Sequence, residues 1–265
     1  VFDPLGGLAD LEARRVRFIG SPEARIAEDA LRILRFFRFQ ALYGDPDEGP
    51  DAEGLAACAA GADGLDRLSR ERVGHELRKL LGAPNPAPAV ATMAQSGVLW
   101  RILPGAAATS LAPLVHLEEV YDLAPSWLRR LAALGCDVEV CTEQLRLSKE
   151  ETTSLRKRAE ALGDASPGPV RAYRFGVHAA QDAMLIAQSA VPAPPPAGLL
   201  DGLEAGAEQQ FPLKAADLVP PLTPGRALGH ALKTAEEAWV AAEFALSRDS
   251  LVALALKAGA APPQD

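Results

Sequence analysis

The stretch Arg25-Ile-Ala-Glu28-Asp29-Ala-Leu-Arg32-Ile-Leu-Arg35-Phe-Phe-Arg38-Phe39 decides how this chain is read. Wound at about 100° per residue, it separates into two faces. Ile26, Ala30, Ile33, Leu34, Phe37 and Ala41 share one broad arc, which predicts the face turned to a core. Arg25, Asp29, Arg32, Arg35 and Arg38 fall on the opposite half, mostly three apart, so the charges wind along the helix as a spiral stripe. Ser21-Pro22 ahead of the stretch reads as N-cap and first helical residue, which predicts one helix over 22–43.

The same helical grammar continues through the chain. Alanine and leucine abound, β-branched residues are sparse, and apolar residues recur at three and four. Further helices are expected at 51–59, 69–82, 86–96, 111–121, 125–134, 138–145, 148–162, 168–174, 177–188, 198–208, 226–244 and 248–258. Ser69 and Ser148, each followed by acids in the first turn, are expected N-caps. The one strand-like run is Val16-Arg-Phe-Ile19, closed by Gly20. Proline clusters at 84–88 and 192–196 mark joints, and the end at 261–265 is expected to fray. The fold class expected is therefore all-α, with a short strand-like segment at the front.

Composition narrows the function classes. With 265 residues and 48% hydrophobic content the chain can bury a substantial core, so disorder throughout is excluded. No run approaches the roughly 18 apolar residues of a membrane span. Residues 1–20 carry acids and arginines where a signal peptide would have an apolar stretch. Cys58, Cys136 and Cys141 give neither a disulfide framework nor a zinc spacing, and no basic neighbour activates them, so they read as core thiols in a reducing cytoplasm. The net charge of -8 argues against a nucleic-acid binder taken as a whole. Phosphate, however, is bound by local patches, and residues 11–40 hold seven arginines against four acids. All seven are Arg, whose planar fork suits phosphates and base edges.

Asp29 and Arg32 stand one turn apart, placing fixed acceptors beside fixed donors. Such a pair can read the Watson–Crick edge of a base, and Arg35 and Arg38 further along can face a triphosphate; a bare Asp-x-x-Arg is equally an ordinary salt bridge on a solvated face. Asp45-Pro-Asp47 has the spacing of a metal-binding carboxylate pair but sits among turn residues and reads as solvated loop. His75, His116, His178 and His230 form no metal spacing and no His-Asp dipeptide. Trp100, Trp127 and Trp239 are expected in packing roles. Arg129, Arg130, Arg146, Lys149, Arg156, Lys157, Arg158, Arg171 and Arg174 are expected on solvated helix faces, with phosphate contact open to some of them.

Three separated stretches resemble the bacterial class II CCA-adding tRNA nucleotidyltransferases and the related bacterial poly(A) polymerases. They are Asp3-Pro-Leu-Gly-Gly-Leu-Ala-Asp10-Leu, the Glu28-Asp29-Ala-Leu-Arg32 motif with the arginines that follow it, and Leu68-Ser69-Arg-Glu71-Arg72-Val-Gly-His-Glu76-Leu. Gly97-Val-Leu with Leu103-Pro104, and Phe211-Pro-Leu-Lys214 with Asp217-Leu218 and Pro224-Gly225, extend the similarity. Residues 105–200 are nearly unmatched, and Ala215-Ala216 stands where the family commonly has Gly-Arg.

The resemblance implies that residues 1–20 are a remnant of the catalytic head and its link, 21–105 a neck that recognises the base, 106–197 a helical body and 198–265 a tRNA-binding tail. It implies nucleotide binding by Asp29, Arg32, Arg35 and Arg38, supported by Glu28 and Arg25. The partners implied are tRNA, CTP and ATP, with no membrane; the oligomeric state stays open. Mg2+ is expected in a head that this chain lacks, so no catalytic residue and no metal ligand is assigned here, and the chain alone is expected not to transfer nucleotides. Poly(A) polymerase activity and a non-catalytic RNA-binding helical module remain the alternatives.

Overall fold

The computed structural model describes Asp3 and residues 6–260. The residues expected to fray, and Pro4 and Leu5 of the first family-like stretch, lie outside the described residues. Sixteen α-helices and two 3₁₀ turns follow one another, with no strand among the described residues. The first part runs α1 (Gly7–Glu12), α2 (Pro22–Glu28), α3 (Leu31–Tyr43), α4 (Ala52–Ala60), a 3₁₀ turn at Ala62–Arg67, α5 (Arg70–Leu81), α6 (Ala87–Gln95) and α7 (Val98–Ile102). It continues with α8 (Leu111–Val120), α9 (Trp127–Ala133), α10 (Val138–Leu145), α11 (Lys149–Gly163), α12 (Gly168–Phe175) and α13 (Val177–Ser189). The last part holds α14 (Leu203–Ala207), a 3₁₀ turn at Ala215–Leu218, α15 (Arg226–Ala241) and α16 (Arg248–Ala260).

The all-α expectation holds, with three local corrections. Val16–Phe18 has no regular structure and Ile19–Gly20 bends, so no strand forms; Phe18 instead lays its ring on Phe36, 5.4 Å between centroids. The helix expected over 22–43 is two helices, interrupted at Asp29-Ala30. The helix expected over 198–208 shrinks to α14, and the one over 226–244 stops at Ala241, where Glu243 and Phe244 turn to positive φ. The capping expectations hold: the hydroxyls of Ser21, Ser69 and Ser148 accept from the N–H of Ala24, Arg72 and Glu151.

The described residues form two compact units. One comprises those up to Gly163 together with Asp182–Ala197; the other comprises Asp164–Gln181 and those from Gly198 onward. The first unit packs Ile33, Leu34, Phe36 and Phe37 of α3 with Val73, Leu77 and Leu80 of α5, Val90 and Met93 of α6, and Leu131, Cys141 and Leu145 beyond. Gly74 lets α5 lie directly on the end of α10, since a Cβ there would overlap the carbonyl oxygen of Leu145. The second unit is built on Leu218, Leu228, Ala231, Trp239 and Leu251, with Tyr173, Phe211 and Phe244 edge-on or tilted around each other and Trp239. No helix among the described residues is long and apolar enough to cross a membrane.

Three of the seven arginines expected on solvated faces, Arg129, Arg130 and Arg158, are instead interior. Arg130 is 1% exposed and donates to the carbonyls of Leu81 (2.7 Å), Ala83 (2.5 Å) and Pro84 (3.0 Å) and to Glu118 (2.7 Å). Arg129 bridges Glu118 (2.9 Å) and Asp182 (2.6 Å), and Arg158 takes the other Asp182 oxygen at 2.7 Å. Every member of this cluster is buried. A guanidinium has five donors, so three of them can be buried only where two carboxylates and a helix C-terminus with free carbonyls are present to receive them.

Candidate nucleotide-recognition site

The break between α2 and α3 has a visible cause. Asp29 ends α2 in an extended conformation (φ -155°, ψ 107°). Its Oδ1 accepts the N–H of Leu31 at 3.1 Å, giving α3 the side-chain acceptor that its own N-cap, Ala30, lacks. Its Oδ2 accepts from Arg72 of α5 at 2.7 Å. On the other side of the break, Arg32 turns back and donates to the carbonyl of Arg25 at 2.7 Å, which also accepts the Asp29 N–H at 3.4 Å. Arg32 also grips Glu28 at 2.5 Å, and Arg25 reaches the same Glu28 oxygen at 2.6 Å.

The interruption therefore brings Arg25, Glu28, Asp29 and Arg32 together with Arg72, all exposed or half-buried. One Glu28 oxygen accepts from both Arg25 and Arg32. Asp29 and Arg32 do not stand one turn apart on a continuous helix; they face each other across the break, each held by another partner. Partial burial alone would raise the Asp29 carboxyl, but the hydrogen bonds from Arg72 and the Leu31 N–H outweigh it and hold it below the ordinary carboxylate range. The hydrogen bond from Arg32 is the main cause that lowers Glu28. Both are thus fixed acceptors at neutral pH. A cleft of about 500 Å³ opens alongside, lined by Glu28, Asp29, Ala30, Gly61, Gly64 and Arg67 among others.

The two remaining arginines part company. Arg35 is exposed, with its guanidinium 5.6 Å from the centre of the Phe39 ring. Arg38 is not on an open face: it is 8% exposed, lies 4.6 Å over the same ring, and meets the buried Glu76 of α5 at 2.7 Å. That contact is not aligned as a hydrogen bond, and Arg38 Nε is buried without a hydrogen-bond partner. Arg38 follows the buried Leu34 by four residues and so lies at the edge of the apolar face of α3, where Glu76 and Phe39 cover it; Leu31 and Phe36 also join the buried face.

Arg72 and Glu76 are residues that the sequence reading placed in a family-like stretch without giving them a role. Their signal was their own spacing: an Arg and a Glu one turn apart on α5, complementary to an acid and an arginine on the preceding segment. Asp45 and Asp47 lie in the loop after α3, where Asp45 accepts the Asp47 N–H at 2.9 Å. Among the described residues no three His, Cys, Asp or Glu side chains come together to hold a metal ion. Of the tryptophans, Trp239 is buried and Trp127 lies under Arg78 at 5.1 Å, whereas Trp100 is 61% exposed and not in a packing role.

This all-α arrangement is the fold of the helical portion of CCA-adding enzymes. The Bacillus stearothermophilus CCA-adding enzyme in complex with CTP superposes with a TM-score of 0.69 at 22% identity, over 97% of this chain and 68% of that one. The Thermotoga maritima CCA-adding enzyme complexed with tRNA superposes with a TM-score of 0.61 at 17% identity, over 97% of this chain and 67% of that one. In sequence, a family profile described as a probable RNA- and SrmB-binding site of polymerase A matches residues 50–109. The mitochondrial CCA tRNA nucleotidyltransferase 1 of Mus musculus is 29% identical over 270 residues, covering 95% of this chain and 61% of that protein. The chain is thus similar in sequence to CCA tRNA nucleotidyltransferases and shares the fold of their helical portion, and it spans about three fifths of the mouse relative's length.

Proposed function

We propose that this chain is the base-selecting and tRNA-contacting part of an enzyme that adds CCA to tRNA 3′ ends from CTP and ATP. The observation that carries the reading is the interrupted helix, where Asp29 and Arg32 are locked as acceptor and donor beside an open cleft. A carboxylate that stays ionised accepts from an exocyclic amine, and a guanidinium held by Glu28 and the Arg25 carbonyl donates to a ring nitrogen or carbonyl. Cytosine and adenine both offer an amine beside a ring acceptor, so one such pair serves both. Arg35, exposed one turn further along α3, is the arginine placed for the phosphates. Arg38 acts from the interior, setting the pitch of α3 through Glu76 and Phe39.

In this reading residues 21–105 are the neck, 106–197 the body and 198–265 the tail. Metal-assisted phosphoryl transfer belongs to a head domain outside these residues, where Mg2+ would be held. The thiols fit a reducing cytoplasm, although the mouse relative is mitochondrial. Poly(A) addition by the same family is the second reading, favoured by the profile over 50–109.

Two measurements test this. Binding of the chain to a labelled tRNA lacking CCA, at low and high salt, should weaken as salt rises; no binding at low salt removes the tRNA-contacting role. With a family head domain joined ahead of residue 1, Asp29→Ala and Arg32→Ala should change the CTP-to-ATP incorporation ratio. An unchanged ratio in both variants refutes the base-reading assignment. Incorporation from ATP alone, in long runs, would favour poly(A) addition.

A further inference from the structure

The N-terminus of α10 carries two cysteines in an uncommon relation. Asp137 is the N-cap, and its Oδ1 accepts the N–H of Glu139 at 2.9 Å and of Val140 at 3.1 Å. The residue before a cap and the fourth residue of the helix pack against each other in the hydrophobic staple. Here those two positions are Cys136 and Cys141. The Cys141 thiol donates to the Cys136 carbonyl, 3.9 Å away. Cys141 is buried, while Cys136 is half-exposed and donates to the Pro104 carbonyl at 3.3 Å. The third cysteine, Cys58, is buried in the core against Ala57 and Ile33 of the same cluster and stands apart in sequence.

We propose that Cys136 and Cys141 are a redox-active dithiol that a hydroperoxide converts into an intrahelix-cap disulfide. The staple positions face each other across the cap, and the Cys141 sulfur already reaches the Cys136 backbone, which brings the two side chains to one place. The half-exposed Cys136 meets the oxidant. Its thiolate attacks one peroxide oxygen; an S–O bond forms, the O–O bond breaks, and the departing hydroxide takes a proton and leaves as water. The Cys141 sulfur then attacks the Cys136 sulfur; the S–S bond forms, the S–O bond breaks, and the hydroxyl leaves as water with the Cys141 proton. Two thiols and one peroxide become one disulfide and two waters. Burial raises both thiols above their ordinary value, so the reaction is slow at neutral pH and quickens as pH rises. Such a bond would replace the staple with a covalent one and withdraw the donor from Pro104.

The test uses the folded chain and hydrogen peroxide. After exposure the protein is unfolded, treated with an alkylating reagent and digested with trypsin, which puts both cysteines on the single peptide Leu131–Arg146. The expected peptide is about 2 Da lighter than the reduced one and takes up no alkyl group, while the Cys58 peptide is still alkylated. Dithiothreitol should restore two alkylation sites. In Cys141→Ser the same peptide should stop at an oxygen-bearing Cys136. Two alkyl groups on the peptide after oxidation, oxygen on Cys136 without the internal bond in the unsubstituted chain, or a Cys136-linked dimer would each overturn the proposal.

Discussion

Two clusters in the first unit are made of the same parts and do opposite things. At the α2–α3 break, Arg25, Arg32 and Arg72 meet Glu28 and Asp29 at a half-open surface. Further along, Arg129, Arg130 and Arg158 meet Glu118 and Asp182 in the interior. Each has three guanidiniums and two carboxylates. In the interior cluster the donors are directed to protein acceptors, including three carbonyls at and just beyond the end of α5, so a ligand has no way in. At the break Glu28 and Asp29 border a cleft, and the arginines that meet them are exposed or half-buried. Burial, and not composition, separates a structural cluster from a candidate recognition site.

The contrast can be broken most forcefully from the interior side. Glu118→Ala leaves Arg129 and Arg130 short of their shared carboxylate in a dry environment. It should destabilise the chain by about 3–5 kcal/mol, read by urea unfolding. A loss below about 1 kcal/mol would mean the cluster is solvated and the contrast false. Next in size is Gly74→Val, which drives a side chain into the Leu145 carbonyl and pushes α5, with Arg72 and Glu76, away from α10. The expected cost is about 1–3 kcal/mol. At the break itself, Asp29→Ala should cost less than about 1 kcal/mol, because its pair with Arg72 is half in water. Its effect is expected in nucleotide selection and not in unfolding.

The smallest effect sharpens the comparison with a pair in the second unit. Asp164 is half-exposed, accepts from Ser166 and Arg174, and is held down at about 2 despite the burial that would raise it. A carboxyl lowered on folding contributes stability fully present above its ordinary value of 3.8 and lost as pH falls from there toward 2. Arg174→Ala should move the Asp164 titration, followed by carboxyl NMR, back toward 3.8 and leave stability at neutral pH nearly unchanged. A titration that does not move would show that the Ser166 contacts alone set it.

Much of the candidate site was legible because its signals are local. Ser21-Pro22 announces a helix start whatever surrounds it, and the Glu28-Asp29-Ala-Leu-Arg32 spacing shows that acids and an arginine must be neighbours. What misled was a periodicity that ran smoothly through Asp29. Nothing in residues 25–39 says that Arg72, more than forty positions later, will take the Asp29 carboxylate and stop the helix there. Arg38 was misplaced on the surface for the same reason, since its partner Glu76 is on α5. Arg129, Arg130 and Arg158 could not be separated from Arg156 or Lys157, because a charge in a helical pattern carries no mark of burial. Their acceptors, Glu118, Asp182 and the carbonyls at and just beyond the end of α5, come from distant turns of the chain.

The sequence by itself determined the helical class, the main helix starts through their caps and the apolar face of α3. These rest on propensities and spacings within a few residues, which act before any long-range contact exists. Only the tertiary structure decided where the first long helix breaks, which arginines face solvent, and which carboxylate each one meets. Those outcomes depend on whether partners far apart in sequence are brought within about 3 Å, and a guanidinium can enter the interior only where such partners already wait for it.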